Sequence, residues 1–344
     1  MGDNPMILGG NQFLSESHMG SEELGLNVFA QENALRESFP SQLFTSRPGN
    51  PIDAATQSTT ALMNGNNVPR LNNDATPMAL FEPQIFFNAS AMIASTVGTG
   101  ILRSYPTMMR EEKTFPPFIH HCFKSGTDEN SLSPALRNAM VISQLFLDQS
   151  PNIVDRIRHE QRRILQKSDS MDIWDLLSSV FGLIIYILIR ISSGPSYDQE
   201  DSQLIHTLWC VCSQIAEGGH QLSSLRQLAP WKYWVLIESK RRVNSTLRLM
   251  KQLYNLDIGL SYPYADITTA TPLPASKLLW LSKSEQEWQK ELDRDSFYSK
   301  LSLHDLMHFR GTTENDHPST TEWARWYAGT DELGILVVIS ASLV

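Results

Sequence analysis

Cysteine is scarce in this chain: Cys122, Cys210 and Cys212 are the only three among 344 residues. An odd, sparse set supplies no disulfide framework and fits a reducing compartment. A surplus of positive charge is also missing, with 28 Lys and Arg against 37 Asp and Glu and a formal net charge of -9. Phosphate neutralisation needs clustered basic residues, so this balance argues against autonomous nucleic-acid binding; any contact with DNA is expected through a partner. Long apolar runs are lacking too. The most hydrophobic stretch, Val180 to Ile189, falls well short of the ~20 residues that span a bilayer, and Asp172 and Asp175 precede it. It reads as a central buried helix, with no membrane partner expected. The opening MGDNPMILGG has neither a basic region nor the apolar length of a secretory signal, and Met6 stands where myristoylation wants Ser or Thr. The sequons at Asn88 and Asn244 therefore carry no expectation of glycan.

Catalytic signatures are equally thin. No Gly-x-Ser-x-Gly elbow, Walker loop or dinucleotide fingerprint occurs. Gly98-Thr99-Gly100 follows no strand-like run and leads to no Gly-Lys-Ser/Thr, so it is not a phosphate loop. His159-Glu160 starts like a zincin motif, but Arg163 stands where the second histidine belongs. His304 and His308, four apart on a predicted helix beside Asp305, are the best metal pair. Their third ligand would have to come from His317 or Asp316 in a loop, and they read as ordinary surface or half-buried histidines. Adjacent His120 and His121 are expected to point in different directions. Cys210 and Cys212 diverge by roughly 200° on a helix and so belong to packing. No catalytic, cofactor-binding, metal or DNA-binding residue is assigned, no cofactor is expected, and the chain does not read as an enzyme.

What is present is helical patterning. Residues 1–78 are rich in Asn, Ser, Gly, Thr and Pro without a sustained period, and read as a disordered, low-complexity segment. Within it, Glu16, Glu22, Glu23, Glu32 and Glu37 alternate with Leu14, Leu24, Leu26, Val28, Phe29 and Leu35, the composition of an acidic activation region. Residues 79–344 read as one all-α globular domain, since no segment shows strand alternation.

Several signals place its helices. Ile85 to Met92 and Ser95 to Leu102 are expected as helical pieces interrupted by Gly98 and Gly100, with Pro106, Pro116 and Pro117 enforcing an extended crossing. Helices follow from Pro134, from Pro151 with a solvated face between Arg156 and Arg163, from Met171 to Ser192, and from Ser202 to Glu217, stopped by Gly218 and Gly219. The stretch from Ala229 to Gly259 is the organising helix. Leu236, Val243, Leu247, Met250 and Tyr254 share its buried face, while Lys240, Arg241, Arg242, Arg248 and Lys251 are expected on a solvated one. Capping boxes at Ser282 with Glu285, Ser302 with Asp305, and Ser319 with Glu322 announce three short helices. Trp231, Tyr233, Trp234, Trp280, Trp288, Trp323, Trp326 and Tyr327 sit near helix ends and suit packing anchors better than a ligand pocket. The apolar end, Glu332 to Val344, reads as a core helix that either docks into a groove or belongs to a longer ancestral domain.

Six segments in order carry a family resemblance: ILRSYPTMM (101–109), FPPFIHHC (115–122), LRNAMVISQLF (136–146), EQRRIL (160–165), PWKYWVLIESKRR (230–242) and TPLPASKLLWLSKSEQEW (271–288). Together they resemble the helical regulatory domain of fungal zinc-cluster transcription factors, in the subgroup tied to secondary-metabolite gene clusters. Such factors carry six closely spaced cysteines near the N-terminus that hold two zinc ions and place a helix in the major groove. This chain has no cysteine before Cys122, so only the regulatory half is matched and no metal or base-contacting residue carries over.

The resemblance implies a nuclear transcriptional regulator that acts through protein contacts, with another transcription factor or the transcription machinery, as a homo- or heterodimer, and meets DNA only indirectly. Two alternatives stand beside it. One is a small-molecule sensor or helical enzyme with an aromatic-lined pocket. The other is a remnant of a full-length zinc-cluster factor.

Overall fold

A computed structural model describes residues 79–110, 114–123, 132–217, 228–258, 271–294, 301–308 and 320–343. The expectations for residues 1–78, for the stops at Gly218, Gly219 and Gly259, for the cap at Ser319, and for His317 and Asp316 lie outside these residues. The class is all-α. Eleven α-helices and no strands occur among the described residues, with three isolated β-bridges such as Leu80 to Ser196.

The first helix, α1 (Ala89–Met108), is one element rather than two pieces, and it runs through Gly98, Gly100 and Pro106. Asn88 starts it, its Oδ1 accepting the Ala91 N–H at 2.7 Å. Gly98 is where neighbours come closest. A Cβ there would lie 3.2 Å from Leu253 Cδ1 and 3.3 Å from Ile339 Cγ2, so the missing side chain makes room for two other helices. Pro106 falls in the last turn, where little helix remains for it to break.

Helices α2 (Pro134–Leu147), α3 (Ile153–Lys167), α4 (Ile173–Ser192) and α5 (Gln199–Glu217) follow. Ser133 and Asp172 cap α2 and α4, accepting the N–H groups of Leu136 at 3.2 Å and Asp175 at 2.8 Å. Every residue of α4 from Leu176 to Ile189 is buried, because α1, α2, α3, α5 and α6 (Pro230–Leu253) all pack on it. That is why α4 is apolar on all sides. It is the one described helix long and apolar enough to cross a membrane, and 83% of its apolar window is buried in the fold. Burying each such Leu or Ile stabilises the fold by about 1.5–3 kcal/mol before entropy is counted.

The polar face of α3 is not simply solvated. Arg158 pairs with Asp198 at 2.7 Å and Arg162 with Glu200 at 3.1 Å, both at the start of α5, and Gln161 is buried with its amide donating to Thr207 Oγ1 at 2.6 Å. The middle of α3 is thereby fastened to α5 by polar contacts beside the buried Ile157 and Ile164.

The organising helix, α6, ends at Leu253, ahead of Gly259; Tyr254 is already extended. Its predicted apolar face is buried at Leu236, Val243, Leu247 and Met250, and Tyr254 beyond its end is buried too. Its expected solvated face is the main correction. Arg241 and Arg242 are fully buried, Lys240 and Arg248 are half-buried, and only Lys251 is exposed. A helix covered on most sides has no room for a charged face, and the two arginines have ion partners.

The remaining helices are α7 (Lys277–Trp280), α8 (Glu285–Arg294), α9 (Leu303–His308), α10 (Thr320–Gly329) and α11 (Glu332–Ser342). Ser302 and Asp305 form the expected box: the Asp305 carboxylate accepts the Ser302 N–H at 2.7 Å, and Ser302 Oγ accepts the Asp305 N–H at 3.2 Å. The box before α8 is shifted by two residues. Ser284 and Glu287 make it, while Ser282 is buried and donates to the Leu278 carbonyl. Helix α11 packs between α1, α6 and α9, burying Leu333, Leu336 and Val337. A small second core of Leu273, Leu301, Leu303, Leu306, Trp323 and Val337 lies under α9 to α11.

Candidate functional site

The densest chemistry gathers around Arg242. Its Nε donates to Glu238 Oε1 at 2.9 Å, one turn earlier on α6, and its Nη1 donates to Asp331 Oδ2 at 2.6 Å and to the Pro117 carbonyl at 2.9 Å. Its Nη2 donates to the Ala275 carbonyl at 3.0 Å, and its guanidinium carbon lies 4.1 Å from the centre of the Trp280 ring. Glu238 takes a second arginine, Arg241 Nη1, at 2.6 Å on Oε2, and accepts the Ala275 N–H on Oε1 at 2.8 Å. Asp331 also caps α11, its Oδ1 accepting the N–H groups of Leu333 and Gly334. Two arginines and two carboxylates make the cluster formally neutral. Only a planar fork with five donors meets carboxylates, carbonyls and a ring face together, which is why the residue is arginine and not lysine.

Such a cluster can either act chemically on a substrate or join distant chain segments. No path to solvent exists at Arg242 or Glu238, both 0% exposed. The arrangement binds four segments to one another: the loop at Pro117, α6, the stretch at Ala275, and the start of α11.

Beside it, the aromatics fall into two packed groups. Trp234 lies 6.4 Å from Trp280 and 6.0 Å from Trp288 by ring centroid, and Trp323, Trp326 and Tyr327 cluster on α10. Tyr233, Trp234, Trp280, Trp288 and Trp323 are buried, Trp231 and Trp326 half-buried, and Tyr327 exposed. Among the described residues they pack on one another. A cleft between α6, the Thr271–Pro274 stretch and α11, with Asn244, Arg248 and Ser340 among its walls, encloses a cavity of ≈ 20 Å³. That is room for about one water.

His120 and His121 do not point apart as expected. A 3₁₀ turn over His121–Phe123 brings the two imidazoles together, tilted by 39° with centroids 4.0 Å apart, against Trp231 and Trp280. The Cys122 N–H donates to His120 Nδ1 at 3.1 Å. One ring nitrogen of each histidine and the Cys122 sulfur all lie within 4.8 Å of one another. Burial, the His121 ring and the Arg242 charge drive the His120 pKa down to about 2, so its imidazole is neutral across the physiological range. Burial pushes the Cys122 thiol up to about 11, partly offset by Lys232.

His304 and His308 are exposed, with stacked rings and centroids 4.0 Å apart. Asp305 between them is committed to capping α9. Cys212 is buried, and Cys210 is half-buried with its sulfur 3.6 Å from the His206 ring.

Sequence reasoning missed two features here, the buried cluster around Glu238 and the convergence of the histidine pair. A signal for the first was present: Glu238, Arg241 and Arg242 stand at helical spacing inside a stretch with apolar residues on either side. Comparison with family models, with curated proteins and with solved structures found no match for the chain.

Proposed function

We propose that the chain is a transcriptional regulator that works through protein contacts in the nucleus, controlling a fungal secondary-metabolite biosynthetic gene cluster. The observation that carries the protein-contact part is an exposed apolar strip around the start of α1. Ile85, Phe87, Met92, Ile93 and Val97 are 77%, 93%, 53%, 67% and 44% exposed. Clustered exposed apolar side chains of this size mark surfaces that other proteins cover. The formal charge of -9 supports recruitment through a partner over direct phosphate binding. Regulation of transcription itself rests on the resemblance of the six segments, and the reading includes no reaction for the chain to catalyse.

The test pairs two measurements on the full chain: chromatin immunoprecipitation of the tagged protein in its host, and binding of the purified protein to naked promoter DNA. Promoter enrichment without naked-DNA binding supports the proposal. Enrichment should fall with Phe87→Ser and Ile93→Ser while the helical content is retained. No enrichment at any promoter, or tight sequence-specific binding to naked DNA by the chain alone, overturns it.

A further inference from the structure

We propose that His120, His121 and Cys122 form a zinc site. The site is independent of the regulatory reading. It rests on a convergence that consecutive residues rarely achieve: three potential ligand atoms within 4.8 Å of one another, in a chain segment that is itself held in place.

The donor set fits zinc. Two imidazoles and a thiolate are the borderline-soft ligands that zinc favours, and they leave a fourth tetrahedral position for water or a further ligand. Zinc–nitrogen and zinc–sulfur bonds of about 2.0–2.3 Å require neighbouring ligand atoms to lie roughly 3.3–3.8 Å apart, so the cluster has to close by about 1 Å. The closure falls to the His121 and Cys122 side chains, which are half-buried where His120 is buried.

His120 is the anchor. It is 1% exposed, and its ring is held by Trp280, whose centroid is 4.6 Å away. Its Nδ1 lone pair already faces into the turn, where it accepts the Cys122 N–H. Its Nε2 is buried and makes no hydrogen bond of good geometry, with the Trp280 backbone as the polar group beside it. A ring that turns Nδ1 onto an ion leaves Nε2–H to the Trp280 backbone, the outer hydrogen bond that metal-bound histidines use to fix their tautomer.

The charge environment is compatible with a dication. Arg242 is near, but Glu238 and Asp331 neutralise the two arginines of its cluster. Binding takes one proton from the Cys122 thiol and passes it to solvent as the sulfur–zinc bond forms; nothing is oxidised or reduced.

Cobalt(II) is the probe for the purified full-length chain. The expected result is one cobalt per chain in a four-coordinate visible spectrum, with a thiolate-to-cobalt band in the near ultraviolet, and stoichiometric displacement by zinc. Cys122→Ser should abolish the near-ultraviolet band, and His121→Ala should weaken binding by more than about tenfold. His304→Ala with His308→Ala should change neither. Circular dichroism of each variant separates loss of a ligand from loss of the fold. The proposal is overturned if the folded wild-type chain binds neither ion stoichiometrically. It also fails if Cys122→Ser keeps the thiolate band, or if only the His304 and His308 variant loses the metal.

Discussion

Arg242 and Asp331, 89 residues apart in sequence, meet at 2.6 Å with their side chains 0% and 6% exposed. Both are buried, so Asp331 loses its ion partner among the described residues if Arg242 is removed, and Arg242 is left with Glu238 alone among them if Asp331 is removed. Losing one partner of a buried pair leaves a charge without compensation, at a cost of about 3–5 kcal/mol. Arg242→Ala is expected to lower the unfolding free energy by that order, measured by urea titration. Arg242→Lys should recover little, because a single ammonium cannot reach Glu238, Asp331, Pro117 and Ala275 together. A lysine variant as stable as the wild type would refute the fork geometry.

A second expectation separates two ion pairs of the α3 to α5 region. Arg190 donates to both oxygens of Asp201, at 2.8 and 2.9 Å, with side chains 14% and 6% exposed. Arg162 and Glu200 are 58% and 28% exposed. Arg190→Ala should cost about 2–4 kcal/mol, and Arg162→Ala less than about 1 kcal/mol. Double-mutant cycles on the two pairs check the ranking, and equal coupling energies would contradict it.

Stability should fall with acid through His120. Its folded pKa is depressed to about 2 by burial, whereas the unfolded chain protonates it near its ordinary value of about 6.5. Below that value the unfolded state binds the proton and the folded state does not, so unfolding becomes easier as pH drops. The loss is on the order of 1 kcal/mol per pH unit between the two pKa values. His120→Gln should flatten this part of the pH profile, and an unchanged slope in that variant would mean that other groups set it.

The thiols should be inert in the folded protein. Burial raises Cys122 to about 11 and Cys212 to about 12, and raises Cys210 as well, so little thiolate exists at neutral pH. A disulfide reagent should react slowly with the native chain and label all three cysteines after denaturation. Fast labelling of Cys122 without denaturant would contradict its raised pKa.

Local patterns carried much of the architecture. The apolar residues of α4 and the inner face of α6 were legible, because burial of those residues is what makes helices of that composition stable. So was the Ser302 and Asp305 cap, whose partners are three residues apart. The stretch Ser282-Lys283-Ser284-Glu285-Gln286-Glu287 contains two overlapping capping signals, and the local sequence does not rank them. Burial of Ser282 and of Trp288 selects the second.

What escaped the sequence is long-range. Arg241 and Arg242 look like surface charge until the carbonyls of Pro117 and Ala275 and the carboxylate of Asp331 arrive from other parts of the chain. The pairing of His120 with His121 depends on a 3₁₀ turn and on walls formed by Trp231 and Trp280, far from either histidine in sequence.

The cap of α11 has a kinetic consequence. Asp331 holds the amides of Leu333 and Gly334 on one oxygen and Arg242 on the other, so any opening that swings the carboxylate away breaks the cap and the ion pair together. Fraying of this last helix and release of α6 are then one event rather than two. Hydrogen–deuterium exchange at Leu333 and Gly334 should report the free energy of global unfolding, an unusual property for amides in the first turn of a helix.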